Sequence, residues 1–157
     1  MEPNVKNGQG RPMTGSADVL LVEDDTNDAE LTVRALTQCG IGLRVEHVQD
    51  GAEALEYIAS TNLFVDKHAI SVPKLILLDL KLNKIGGLHV LRRLKSDDRT
   101  KGIPIVVLTA SKLAIEVAES YKLGVNSYVI KPADAAKFAE VVAAIGRYWL
   151  AINEAPQ

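Results

Sequence analysis

The sequence predicts an α/β fold, a five-stranded parallel sheet with helices on both faces. Three observations predict it. After a polar start, short apolar runs alternate with longer amphipathic stretches. The runs Val19–Val22, Leu75–Leu80 and Ile105–Leu108 are nearly continuous in Val, Ile and Leu, as strands covered on both faces must be. Gly40, Gly51, Gly86, Gly87, Gly102 and Gly124 punctuate the joints.

Residues 1–16 are polar, carry Gly8, Gly10, Pro12 and Gly15, and lack the apolar run of a signal peptide. They are expected to form a disordered leader on a cytoplasmic protein. Residues 17–152 then form one domain and 153–157 a C-terminal tail. Val19–Val22 reads as the first strand. Thr26, Asn27 and Asp28 offer capping chemistry to a first helix, on which Leu31, Ala35 and Cys39 recur one turn apart. Leu43–Val48 reads as the second strand. A long connection, Ser60–Pro73, leads to the third at Leu75–Leu80 and is expected to be a functional or partner-contacting loop. Leu88, Leu91 and Leu94 stripe a helix before the fourth strand, Ile105–Leu108. Ser127–Ile130 is the fifth, and Phe138, Val142, Ile145 and Trp149 stripe the last helix. Strict βα alternation implies right-handed crossovers. Five strands in this length fit a flavodoxin-like (βα)5 doubly wound parallel sheet of strand order 2-1-3-4-5.

Composition narrows the function. A formal net charge of −2 gives no bulk attraction to nucleic acid or anionic lipid, and 4% aromatic residues are too few for base stacking. No apolar run reaches the ~20 residues of a membrane span. Cys39 lacks an intramolecular partner and is expected as a small core thiol. His47, His68 and His89 fall on different elements without metal-ligand spacing and read as surface or partly buried residues.

The functional test lies just past the end of each strand, because ligands of open parallel sheets bind beyond the carboxyl ends. Strand 1 ends in Glu23-Asp24-Asp25, strand 3 in Asp79-Leu80-Lys81, strand 4 in Thr109-Ala110-Ser111 and strand 5 in Lys131-Pro132. These strands are consecutive neighbours in the expected order, so the groups converge. Carboxylates forced within ~5 Å repel by about 3 kcal/mol per pair at an effective dielectric near 20. A hard divalent cation offsets that, and oxygen-only ligands with room for water and phosphate favour Mg²⁺. A strand-end Asp can attack phosphorus and become an acyl phosphate, while Lys131 and the cation neutralise the phosphoryl oxygens and Thr109 donates a hydroxyl bond.

On these residues the sequence resembles the response-regulator receiver family of two-component signalling, from about Asp18 to Leu150. The motifs are Leu20-Leu21-Val22-Glu23-Asp24-Asp25, Leu77-Leu78-Asp79-Leu80 with Gly87 eight residues on, Val107-Leu108-Thr109-Ala110-Ser111, and Tyr128-Val129-Ile130-Lys131-Pro132. The resemblance implies Asp79 as phosphoacceptor and Asp24 as principal Mg²⁺ ligand, with Glu23 acting beside it through water. It implies the backbone carbonyl of Lys81 as a third protein ligand, Thr109 as the switch hydroxyl, Lys131 as the phosphoryl-binding lysine and Tyr128 as the aromatic rotamer switch. In many relatives the bond before the position of Pro132 is cis. The loop after Asp79 departs from the family: Lys81, Asn83 and Gly86 stand where it favours Asn, Pro and Asp. The Ser60–Pro73 insertion and the Arg147-Tyr148-Trp149-Leu150 tail resemble a narrower group, the small regulators paired with bacterial phytochromes.

Competing functions fit less well. An aspartyl phosphohydrolase needs an acid two residues after its nucleophile, where this chain has Lys81. A flavin-binding protein needs a phosphate cradle after strand 1, where Glu23-Asp24-Asp25 would repel a phosphate. The alternative within the family is a degenerate receiver acting as a phosphorylation-independent binding module, against which Asp24, Asp79, Thr109 and Lys131 argue. The chain ends soon after the fifth helix, so no attached output module is expected, and output is expected from binding another protein, from competing for phosphate in a relay, or from a change in self-association. The expected partners are a sensor histidine kinase, of phytochrome type by the narrower resemblance, and a second copy. Phe138, Val142, Ile145, Trp149 and Ile152 are spaced 4, 3, 4 and 3, a heptad-like seam, with Val141 and Tyr148 beside it. One sheet covers one row, so a homodimer through helix 5 and its tail is expected.

Overall fold

The computed structural model describes residues 17–39, 42–63 and 72–155, with 62 and 63 described by their backbone only. The leader 1–16, residues 40–41, the stretch 64–71 with His68, and residues 156–157 lie outside the described residues. The elements run β1 Val19–Val22, α1 Thr26–Thr37, β2 Val45–Val48, α2 Gly51–Leu63, β3 Leu75–Leu78, α3 Gly87–Lys95, β4 Ile105–Thr109, α4 Ala114–Lys122, β5 Ser127–Ile130 and α5 Ala135–Gly146. A π-helical turn, Arg147–Ile152, closes the series. All strand pairs are parallel and the order is β2-β1-β3-β4-β5, as expected.

Three boundaries differ from the sequence reading. β2 begins at Val45 instead of Leu43, since β1 supplies partners only from Val19 onward. β3 stops at Leu78, so Asp79 and Leu80 already belong to the loop. α2 runs through Leu63, which absorbs the start of the connection expected from Ser60.

Alternation along the strands builds two cores. Leu20, Val22, Ile76, Leu78, Ile105 and Val107 face Ala54, Tyr57 and Ile58 of α2 and Val90, Leu91 and Leu94 of α3. Val19, Leu21, Leu75, Leu77, Val106 and Leu108 face Ala29, Ala35 and Leu36 of α1 and Phe138, Val142 and Ile145 of α5. Truncating one of these leucines to Ala costs about 2–5 kcal/mol. Cys39 is half-buried, its thiol donating to Ala35 O at 3.4 Å and Ala143 O at 3.5 Å across the α1–α5 contact.

Caps fix where the helices start. Asp25 Oδ1 accepts from Asp28 N–H at 2.9 Å, and Asp134 Oδ2 from Lys137 N–H at 2.9 Å. Asp50 Oδ1 accepts from Glu53 N–H at 2.9 Å, while Glu53 Oε1 reaches back to accept from Gln49 N–H at 2.8 Å. Gly124, just past the cap of α4, has a φ of 103° that allows Val125 N–H to bond Ser120 O and Gly124 N–H to bond Tyr121 O.

The amino edge of the sheet is pinned by one lysine. Lys95 Nζ donates to Lys101 O at 2.9 Å, Ile103 O at 3.0 Å and Asn126 Oδ1 at 3.0 Å, and burial lowers its pKa. Asn126 Oδ1 also accepts from Ile105 N–H at 2.8 Å, tying the first residue of β4 to the start of β5.

The heptad-like seam of helix 5 does not run through. Phe138, Val142 and Ile145 are buried on the sheet, and Val141, Trp149 and Leu150 pack on the same cluster. After Gly146 the wider π turn shifts the stripe, leaving Tyr148 47% and Ile152 68% exposed. The exposed apolar row is therefore confined to the tail.

Candidate functional site

The carboxyl edge gathers the groups that its strands carry. Glu23 and Asp24 follow β1, Asp79 follows β3, Thr109 ends β4 and Lys131 follows β5. Lys131 is fixed by its own N–H, which donates to Thr109 O at 2.8 Å. Its ammonium meets Glu23 Oε1 at 2.8 Å, Asp28 Oδ2 at 2.8 Å and Asp79 Oδ2 at 3.1 Å. Glu23 and Asp79 are buried, and Lys131 is almost so. Backbone donors orient the acids: Asp25 N–H reaches Glu23 Oε2 at 3.2 Å and Lys81 N–H reaches Asp79 Oδ1 at 3.3 Å.

Electrostatics follow from one cation facing three carboxylates. Burial, countered by the Lys131 hydrogen bond and reinforced by the charge of Asp79, pushes Glu23 up to about 8. Burial alone would lower Lys131, but hydrogen bonds to Asp28 and Glu23 and the nearby charges outweigh it and raise its pKa. Lys131 therefore stays charged, and Glu23, the deepest carboxyl, holds its proton more tightly than a carboxyl in water. Carboxylate oxygens of Glu23, Asp24 and Asp79 lie within 4.8 Å of one another, a donor set that fits a hard divalent cation.

Thr109, Ser111 and Tyr128 form a hydrogen-bonded chain. Thr109 is fully buried and its Oγ1 accepts from Ser111 N–H at a long 3.5 Å. Ser111 O accepts from the Tyr128 hydroxyl at 3.0 Å. Ser111 Oγ donates to Glu116 Oε1 and accepts from Leu113 N–H at 3.3 Å, fixing the start of α4. Tyr128 packs against the α2–α3 core, and burial raises the pKa of its hydroxyl.

The unusual loop after Asp79 is buttressed. Gly87 lies so close to the end of β3 that a Cβ would stand 2.3 Å from Asp79 O. Lys84 takes a φ of 64° and its ammonium lies 3.5 Å from Asp50 Oδ2, at the cap of α2. The side chain of Lys81 is exposed. No peptide bond among the described residues is cis, so the bond before Pro132 is trans, unlike that of many relatives.

Sequence reasoning misses two residues at this edge. Asp28 reads there only as a cap, and no spacing within the chain marks it out, because its second partner is Lys131, 103 residues away. His47 reads only as a surface or partly buried residue. It shares a strand face with Val45, and its Nε2 lies 2.7 Å from Glu23 O. The signal that could have found it is alternation along β2.

A parallel sheet that brings acids, a buried hydroxyl and a lysine together beyond its carboxyl ends defines a signalling receiver. The chain belongs to the response regulator receiver domain family, whose model matches residues 19–143. It is 38% identical to the probable methanogenesis regulatory protein FilR2 of Methanothrix harundinacea, over 88% of this chain and 86% of that protein. Response regulator Rcp1 of Synechocystis is 34% identical over 84% of this chain and 88% of its own. The crystal structure of the Mn²⁺-bound form of Rcp1 superposes with a TM-score of 0.78, covering 88% of this chain and 98% of that one. The phosphorylated cyanobacterial phytochrome response regulator RcpA gives 0.81 at 36% identity, covering 90% of this chain and all of that one.

Proposed function

We propose that this chain accepts a phosphoryl group from a histidine kinase onto Asp79 and signals through phosphorylation-dependent protein contacts in the cytoplasm. The observation that carries the reading is Asp79 itself, at a strand end, 3.1 Å from a buried ammonium and inside a cluster of carboxylates. Asp79 supplies the nucleophilic oxygen, and Lys131 faces the oxygens on which charge accumulates. Thr109 stands ready to donate its hydroxyl to the product. Glu23, Asp24 and Asp79, with the Lys81 carbonyl, would hold Mg²⁺. When bound, the ion screens the carboxylates from one another and from an incoming phosphoryl group.

The RcpA and Rcp1 likenesses support a kinase of phytochrome type as donor, since RcpA is described as a phytochrome response regulator. Exposure of Tyr148 and Ile152 supports a homodimer through the tail. The test is mass spectrometry after incubation with acetyl phosphate and Mg²⁺. One phosphoryl mass, labile to hydroxylamine and absent from Asp79→Asn, is expected. Wild-type labelling of Asp79→Asn overturns the assignment.

A further inference from the structure

Asp28 meets the site from the first turn of α1, outside the three-carboxylate cluster. An ammonium has three N–H donors. Those of Lys131 are taken by Glu23, Asp28 and Asp79 at 2.8, 2.8 and 3.1 Å. Two of these acceptors belong to the cluster that fits a divalent cation, so Asp28 is the acceptor left to the lysine alone. It is also rigidly mounted. Its N–H is held by Asp25 Oδ1 at 2.9 Å and its carbonyl accepts from Thr32 Oγ1 at 2.7 Å. The amino end of α1 favours a charged carboxylate there. At 30% side-chain exposure it forms the rim, where an anionic donor must pass.

We infer that Asp28 is a positioning residue for phosphoryl transfer, holding the Lys131 ammonium aimed at Asp79 while its charge limits the affinity for anionic donors. This rests on Asp79 being the acceptor. With acetyl phosphate, an Asp79 carboxylate oxygen forms a bond to phosphorus as the bond from phosphorus to the bridging oxygen breaks. The electron pair leaves with acetate, and no proton is required. The N–H of Lys131 that faces Asp79 Oδ2 before transfer faces a phosphoryl oxygen after it. A lysine stem has four carbons to disorder, so its aim depends on the anchor.

The two contributions separate in two variants. Asp28→Ala loses the acceptor, and the maximal phosphorylation rate should fall roughly tenfold. Asp28→Asn keeps an acceptor without charge. It should regain most of that rate and lower the half-saturating acetyl phosphate concentration about threefold. Independently of phosphorylation, NMR of the metal-free protein should show a slowly exchanging Lys131 ammonium in wild type and Asp28→Asn, and rapid exchange in Asp28→Ala. A wild-type protein that takes no phosphoryl group overturns the acceptor reading and this one with it. Normal wild-type labelling with both variants matching it overturns this inference alone. So does a loss in Asp28→Ala that Asp28→Asn fails to restore, which marks a purely structural aspartate.

Discussion

Lys131 Nζ lies 2.8 Å from Glu23 Oε1, and both groups hold their protons more tightly than they would in water. An isolated ion pair shifts its members in opposite directions. Here burial raises Glu23 in spite of the Lys131 bond, with the charge of Asp79 adding to it, and the ammonium is shared with Asp28 and Asp79 as well. A bound cation and a proton on Glu23 are thus alternatives.

That competition gives a pH dependence. Glu23 is raised from 4.5 to about 8, so its stabilising contribution is complete below about pH 4.5 and is lost as the pH rises through about 8. Metal-free wild type should therefore lose melting temperature relative to Glu23→Gln between about pH 5 and about pH 8.5. The stabilisation by Mg²⁺ should grow over the same range, because the deprotonated carboxylate is the ligand form. Melting curves check this. An Mg²⁺-induced shift that is the same at both ends of the range contradicts it.

Thr109 and Tyr128 are joined through Ser111, whose N–H reaches one and whose carbonyl accepts from the other. A pull on the Thr109 hydroxyl thus moves the anchor of the Tyr128 ring and the start of α4. Thr109→Ala should still accept phosphate but lose most of the phosphorylation-induced NMR shift changes at Tyr128 and Ile115. Changes of wild-type size in that variant rule out the coupling.

Much of this was legible in the sequence, for definite reasons. Leu75–Leu78 and Ile105–Thr109 are buried along their whole length, so an unbroken apolar run identifies them. Strand order comes from the βα alternation, and with it the meeting of Glu23, Asp24, Asp79, Thr109 and Lys131. Asp28 escapes because a first-turn aspartate has an adequate local explanation, and only the three-dimensional reach of Lys131 gives it a second. The tail escapes because heptad spacing presumes regular helix, whereas α5 widens into a π turn after Gly146.

Gly87 should not tolerate a side chain. An added Cβ would stand 2.3 Å from Asp79 O and 2.6 Å from Leu80 Cα, both backbone atoms that cannot swing away. Gly87→Ala should cost about 1–3 kcal/mol in urea unfolding and slow the labelling of Asp79, since the backbone that must move carries that residue. Unchanged unfolding would show that the loop yields freely.

Lys81 leaves the loop two residues after Asp79 with its side chain in solvent. A cation there can hold phosphoryl oxygens or block attacking water, and either slows hydrolysis. Lys81→Asn should shorten the half-life of the phosphorylated protein, measured as loss of the phosphoryl mass with time. A longer half-life reverses the role assigned to the side chain.

Self-association should depend on the tail. Ile152 is 68% exposed and stands outside the core cluster, unlike Trp149. Light scattering at micromolar concentration should report a dimer for wild type and a monomer for Ile152→Glu. A wild-type monomer at the highest soluble concentration, with and without phosphorylation, removes the dimer and leaves the receiver intact.

Lys95 and Asn126 anchor the near end of β4. Ile105 is clamped there, while Thr109, four residues on and about 13 Å away at strand rise, ends in the loop held by Ser111. β4 is laddered to β3 and β5 on its two sides, so a pull at Thr109 should move the chain beyond the strand more than the strand itself. Just past Thr109, Leu113 and Ile115 turn greasy side chains to water. An event at the Thr109 oxygen should therefore be felt first in that short segment, the one beside it most able to be gripped by a partner.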